Sequence, residues 1–391
     1  MKKVSSYFTV PFEFIVSDSE ILYDIFVNSS TRESREHYVK IFPKGDFLKK
    51  SDLEQFKKKY HQVYIAEGER NSYLRSLVKS DVASDVQKTE VIKDSAIKYL
   101  GNLFDSEKKF STEMLADSIK GCRDSVENMI HVIKDYDVSE IQGLIGDLSF
   151  HDFYTYDHSI NVAMYSIALY KAYNPKASEE DIITAGLGGL LHDLGKIKIP
   201  TTIINNPDKL TDDEFSIIKR HPEYGKDLLG EKKCQCEGVD FALVSRVVYE
   251  HHENFNGSGY PSHKQGEDIH IMARITAIAD FFDAITTKRS YHEVLSTEDA
   301  LAVMSNSVGK KIDPMLFDLF TTKVKNLIFK GKNHFKVDDS FDPCQPHNVI
   351  PLEKIQPAKQ EHNLFEKKDD FGKVKSKDPA ITEIKKGKKS A

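Results

Sequence analysis

Apolar residues recur along this chain in two rhythms, and the change between them divides it. Up to residue 79 they come in short aromatic and β-branched runs, YFTVPFEFIV, ILYDIFV, HYVKIF and QVYIAEG, with turn residues between them. Such runs read as strands. DLEQFKKKY, with Ser51 as its cap, predicts one short amphipathic helix among them. From residue 80 the spacing turns helical. Between Ser111 and Tyr136 the apolar positions are Leu115, Ile119, Cys122, Val126, Met129 and Ile133, spaced alternately by four and three. This is the repeat of a coiled-coil seam, which packs on a helix of its own chain or on a second protomer. Residues 147–329 are helical almost throughout, and no stretch reads as sheet. Residues 330–391 hold five of the thirteen prolines and lose the apolar rhythm, which predicts a mostly disordered tail. The expectation is a mainly α protein. A small α+β domain at 1–79 and a helical linker at 80–146 precede an all-helical domain at 147–329 and a charged tail at 330–391.

Composition narrows the class. A chain of 391 residues leaves room for two or three domains, and 39% hydrophobic residues suffice for sizeable cores. The longest uncharged apolar run, Ile182–Leu191, has ten residues, against about 20 for a membrane span. No membrane span is therefore expected. Pro11 and Glu13 break the apolar start, so no signal peptide is expected either. Four cysteines make no disulfide scaffold and fit a cytoplasmic setting. The net charge of −6 divides into +4 over residues 330–391 and −10 over the rest. A body without basic excess disfavours specific nucleic-acid binding.

Histidine is the informative residue: nine of fifteen lie between His151 and His292. Ser178 and Asp181 form a capping-box start for a helix that ends at His192-Asp193. Gly186, Gly188 and Gly189 in that helix imply that neighbouring helices approach closely, since each costs about 1 kcal/mol relative to alanine. His158 lies on the helix YDHSINVAMYSIALY. His221 follows a helix capped by Thr211 and Glu214. His251-His252 ends FALVSRVVYEHH, and Asp280 sits amid apolar residues in ARITAIADFFDAIT. A carboxylate there needs a partner. Six such elements on consecutive helices point to metal binding, because a carboxylate can bridge two ions and an imidazole can bind one. Cys234 and Cys236 lack the second pair of a structural zinc site. GKDLLGEKK has Glu231 where a phosphate loop requires lysine.

HDLGKIKIP, PDKLTDDEF, HHENFNGSGYP and GEDIHIMARITAIADFFDAITTKRSY together resemble the HD-GYP family, a branch of the HD phosphohydrolases. The resemblance covers about residues 148–330. It implies an all-helical catalytic domain, two or three divalent metals, usually iron or manganese, and hydrolysis of cyclic di-GMP to pGpG or on to GMP. It implies His158, His192, Asp193, His221, His251, His252 and Asp280 as metal ligands, with Asp193 bridging two ions that activate a shared hydroxide. Asp283 is a competing carboxylate. Lys196 matches a lysine near the substrate phosphate, Tyr260 belongs to the GYP motif, and Arg289 matches a dinucleotide contact. Tyr154 stands where members with three metals carry Glu, which favours two. Asn256, Phe255 and Asp208 depart from the usual Asp, Trp and Gly, and CQCEG adds residues before the paired histidines. Another cyclic dinucleotide as substrate, or a binding module with little turnover, remains open. So do a homodimer through the 111–136 helix and a signalling partner for 1–79.

Overall fold

The computed structural model describes residues 7–30, 37–105, 111–148, 154–204, 210–230, 237–287, 295–323, 335–336 and 353–354. Strands β1 (Tyr7–Pro11), β2 (Ser19–Glu20), β3 (Ile25–Asn28), β4 (Tyr38–Phe42), β5 (Phe47–Leu48) and β6 (Gln62–Ala66) lie in the first part. Four of them form an antiparallel sheet in the order β1-β6-β3-β4, with Tyr7 opposite Ala66 and Ile25 opposite Phe42. Their alternation explains the sheet. Val10, Ile25, Val27, Val63 and Ile65 point to a buried face, as a period of two requires. Helices α1 (Lys50–Lys57) and α2 (Arg70–Val78) belong to the same part. Tyr73 of α2 meets Phe8 and Tyr23 at 5.6 and 5.5 Å between ring centres. The helix predicted behind Ser51 opens earlier than expected. Lys49 precedes it without a side-chain cap bond, and Ser51 Oγ donates to Asp52 instead. Asp18 replaces the cap from a distance, accepting from Lys50 N at 3.1 Å.

The chain continues through α3 (Asp85–Phe104), α4 (Thr112–Val132), α5 (Val138–Asp147), α6 (Tyr154–Tyr173) and α7 (Glu179–Leu191). A 3₁₀ turn over Leu194–Lys198 leads to α8 (Thr201–Ile204), α9 (Asp212–Ile218), α10 (His221–Leu229) and α11 (Phe241–Glu250). Then come α12 (Ile271–Thr286), α13 (Thr297–Ser305) and α14 (Pro314–Thr322). Among the described residues from 154 to 323 there is no strand, only isolated bridges at Asn256–Gln265 and Val308–Ile312. No described helix is long and apolar enough to cross a membrane. Residue contacts separate 354–391 from 1–353, the unit that holds all these helices. The tail predicted at 330–391 lies outside the described residues, save 335–336 and 353–354.

The seam of α4 settles one of the open alternatives. Leu115, Ile119, Cys122, Val126, Met129 and Ile133 are all at most 2% exposed within the single chain. Their neighbours are α3, α7, α2 and α6. Each side chain of this size gains about 1.5–3 kcal/mol from full burial, so intrachain packing already uses the seam. Of the two alternatives for the seam, packing on its own chain is the one these six residues show. Behind the seam, α6, α7, α11 and α12 pack on one another. The glycines of α7 allow it. A Cβ at Gly189 would stand 3.1 Å from Ala163 Cα of α6, and one at Gly188 would stand 2.7 Å from Val247 of α11. Lys93 of α3 and Asp157 of α6 form a buried ion pair at 3.0 Å, one residue from His158.

Candidate metal centre

Local chemistry brings each functional side chain to the end or inner face of a helix. The capping boxes Ser178–Asp181 and Thr211–Glu214 both form and set the starts of α7 and α9. His192 then falls at the end of α7, His221 opens α10 and His251 ends α11. His158 and Asp280 project from the middle of the core, on α6 and α12. The structure brings all seven predicted ligands together, each of them buried apart from the half-buried His252. His158, His192 and Asp280 form one set of donors, His221, His251 and His252 another, and His192, Asp193 and His251 a third that joins them. Within each set the donor atoms lie within 4.8 Å of one another.

Hydrogen bonds behind the cluster decide which nitrogens face inward. Nδ1 of His192, His221 and His251 each lies 2.7–2.8 Å from the backbone carbonyl three residues earlier, of Gly189, Ile218 and Val248. A carbonyl only accepts, so each Nδ1 carries the proton and each Nε2 presents a lone pair. His221 Nε2 and His251 Nε2 stand 3.2 Å apart. Two lone pairs at that distance repel unless a cation lies between them. Asp193 Oδ1 is buried with no hydrogen-bond partner, 3.4 Å from His221 Nε2. These are the features of a donor set built for metal ions, with the remaining ring nitrogens tied down behind them.

Asp280 and Asp283, one turn apart on α12, separate by geometry. Asp280 Oδ1 lies 3.1 Å from His158 Nε2 and 3.9 Å from His192 Nε2, on the donor side. Asp283 sits behind His158, 2.7 Å from Nδ1, and accepts from Asn161 and Thr287 at 2.9 and 2.7 Å. Asp283 orients; it does not join the donors. The sequence shows Asp283 only as a carboxylate competing with Asp280; its place behind His158 depends on a contact across 125 residues.

Charge follows the same division. Burial opposes the charged form of His158, but Asp280 and Asp283 outweigh it and push the imidazole up to about 9. Burial pulls His221 down to about 4, and burial with neighbouring imidazoles pulls His251 and His252 well below the usual range. Burial works against the Asp193 carboxylate, yet Lys196 and His192 hold its pKa well below the ordinary value. At neutral pH His158 is therefore protonated before a cation enters, whereas His221, His251 and His252 are already neutral. Metal entering the His158 set must displace a proton. Its affinity is expected to rise with pH up to about 9 and then level off. The His221 set should be insensitive to pH above about 4. Calorimetric titration with Mn²⁺ at pH 7, in buffers of different ionisation enthalpy, should show at least one proton released for the two ions, that of His158, and a second where the shared water ionises. Release of none would contradict the assignment.

Lys196 and Tyr260 flank the donors. Lys196 Nζ lies 2.6 Å from Asp193 Oδ2. Tyr260 stacks on His252 at 4.8 Å and 25°, with its N–H donating to His252 O at 3.1 Å. This loop approaches so closely that a Cβ at Gly259 would stand 2.2 Å from Asn254 N, which is why glycine precedes Tyr260. Glu253 anchors the loop from below, accepting from Ser262 N and Lys264 N at 2.6 and 3.0 Å, a role the sequence did not reveal. Asn256 accepts from Ser258 N and Oγ and so shapes the turn itself. Arg289, Asp208, Cys234 and Cys236 lie outside the described residues, as does the side chain of Tyr154.

Comparison with known proteins agrees with this geometry. Residues 153–316 match the HD domain family. The cyclic di-GMP phosphodiesterase PA4108 of Pseudomonas aeruginosa is 40% identical over 173 residues, 44% of this chain and 40% of that protein. The 3′3′-cGAMP-specific phosphodiesterase 2 of Vibrio cholerae is 38% identical over 162 residues, 41% of this chain and 30% of that protein. The matched region spans less than half the length of these curated relatives. The solved structure of Bd1817, an HDG"Y"P protein from Bdellovibrio bacteriovorus, matches 82% of this chain and all of that one. Its TM-score is 0.50 at 19% identity, a likeness of fold. Helices that converge on a histidine–aspartate cluster make this part of the chain an HD domain. Tyr260 of the GYP loop lies against His252 of the paired histidines, as the resemblance to the HD-GYP family implies.

Proposed function

We propose that this chain is a metal-dependent phosphodiesterase that hydrolyses cyclic di-GMP to linear pGpG. One observation supports this most: two donor sets meet at one buried carboxylate, Asp193, whose second oxygen is held by Lys196. His158, His192 and Asp280 would hold one ion, and His221, His251 and His252 the other. Asp193 would bridge them. The mixed nitrogen and oxygen donors suit iron or manganese. Two divalent ions so held supply a water of lowered pKa and polarise a phosphate oxygen.

The chain's own residues do the rest. Lys196 places a positive charge beside the bridging carboxylate, where negative charge grows on the phosphate. Tyr260, stacked on His252, forms one wall and excludes water. Arg289 would grip the dinucleotide with a planar, two-pronged guanidinium. No side-chain nucleophile is needed. Cys122, free and buried, suits a cytoplasmic setting, and 1–79 is assigned to sensing or docking. A second reading keeps the chemistry and changes the substrate to 3′3′-cGAMP, because curated relatives carry both names.

The test is turnover by Mn²⁺- or Fe²⁺-loaded protein on cyclic di-GMP, 3′3′-cGAMP and cyclic di-AMP, with products separated by chromatography. Cyclic di-GMP should be consumed fastest and give pGpG. Preference for 3′3′-cGAMP would select the second reading. No turnover of any of them with metal in place would overturn both.

A further inference from the structure

A lysine outside the family motifs borders the centre. A cavity of about 60 Å³ opens on the donors and is lined by His251, His252, Asp280, Tyr260, Phe281 and Lys311, among others. Lys311 comes from a distant stretch of chain, the turn between α13 and α14, and is half-buried. Its place is built. Lys310 N, Lys311 N and Ile312 N all donate to Ser307 O at 2.9–3.1 Å, and Gly309 N donates to Ile312 O. Lys311 O and Lys310 O accept from Phe255 N and Asn256 N at 3.2 and 2.8 Å, which fastens the turn to the GYP loop. Ile312 is 2% exposed beneath it, and Asp313 next to it is paired with Arg274. So fixed a backbone keeps the root of this long cationic side chain at the cavity, and only the side chain itself has to order when it binds an anion.

The charge has a use that Lys196 does not fill. Lys196 is tied to Asp193, on the side of the scissile phosphate. A cyclic dinucleotide carries a second phosphodiester across its ring, and that phosphate also leaves water when the substrate enters. We propose that Lys311 is a substrate-binding residue that pairs with this second, non-scissile phosphate and so selects dinucleotides over simple phosphodiesters. This rests on the phosphodiesterase reading above.

The test compares two substrates on Lys311→Met and Lys311→Arg: cyclic di-GMP, with two phosphates, and bis(p-nitrophenyl) phosphate, with one. Lys311→Met should raise KM for cyclic di-GMP about tenfold, the size of one lost charge-assisted contact. kcat should change less than twofold, and so should hydrolysis of the nitrophenyl diester. Lys311→Arg should restore most of the affinity. Equal loss on both substrates would make Lys311 a support of the loop and overturn the proposal, as would no change on either. A parent protein that holds its metals and cleaves the nitrophenyl diester but no cyclic dinucleotide would instead defeat the substrate reading beneath it.

Discussion

Asp193→Ala is expected to lower turnover of cyclic di-GMP by at least about 10³-fold. Both donor sets depend on this carboxylate. Its Oδ1 lies 3.4 Å from His221 Nε2 and its Oδ2 3.3 Å from His192 Nε2, with Lys196 at 2.6 Å from the latter oxygen. Removing it leaves the two sets uncoupled and Lys196 without its counter-ion. Metal content should fall together with activity, which separates this outcome from loss of a substrate contact. The checks are elemental analysis and steady-state rates on the same preparation. Near-normal turnover with both metals retained would mean that Asp193 does not bridge.

The second large effect is expected at a residue that offers no donor atom itself. A Cβ at Gly195 would stand 1.9 Å from His221 O and 2.5 Å from Gly225 N. Both neighbours are backbone, so neither can rotate away. Gly195→Ala must push the Leu194–Lys198 turn off α10, which carries Asp193 and Lys196 away from His221. Overpacking of this kind costs about 1–3 kcal/mol, and about 2–4 °C of Tm per kcal/mol follows for a domain of this size. Thermal unfolding and metal analysis together check it. The variant should melt several degrees lower and lose metal. A variant with parental Tm and full metal would show that the turn and α10 can separate without consequence.

The cluster was legible because its ligands sit at ends that short-range rules fix. Ser178 with Asp181 and Thr211 with Glu214 announce where α7 and α9 begin, so the sequence alone puts His192 and His221 just beyond these helices. The α+β start was readable from period-two runs, though not the opening of α1, because Asp18 caps it from 32 residues away. The same limit hid the network around the donors. Asp283 behind His158 and Glu253 beneath the GYP loop act across 125 and nine residues. Spacing alone cannot tell a carboxylate that ligates from one that orients. The seam of α4 showed its apolar face but not what covers it, since a repeat of four and three fits an internal helix as well as a second protomer.

The central claim is that seven side chains hold two metal ions bridged by Asp193. Elemental analysis of anaerobically purified protein, paired with a crystal structure of the same material, measures it most directly. The account predicts two equivalents of iron or manganese, one among His158, His192 and Asp280 and one among His221, His251 and His252, with Asp193 touching both. A single ion, a full third equivalent, or two ions that share no Asp193 oxygen would contradict it.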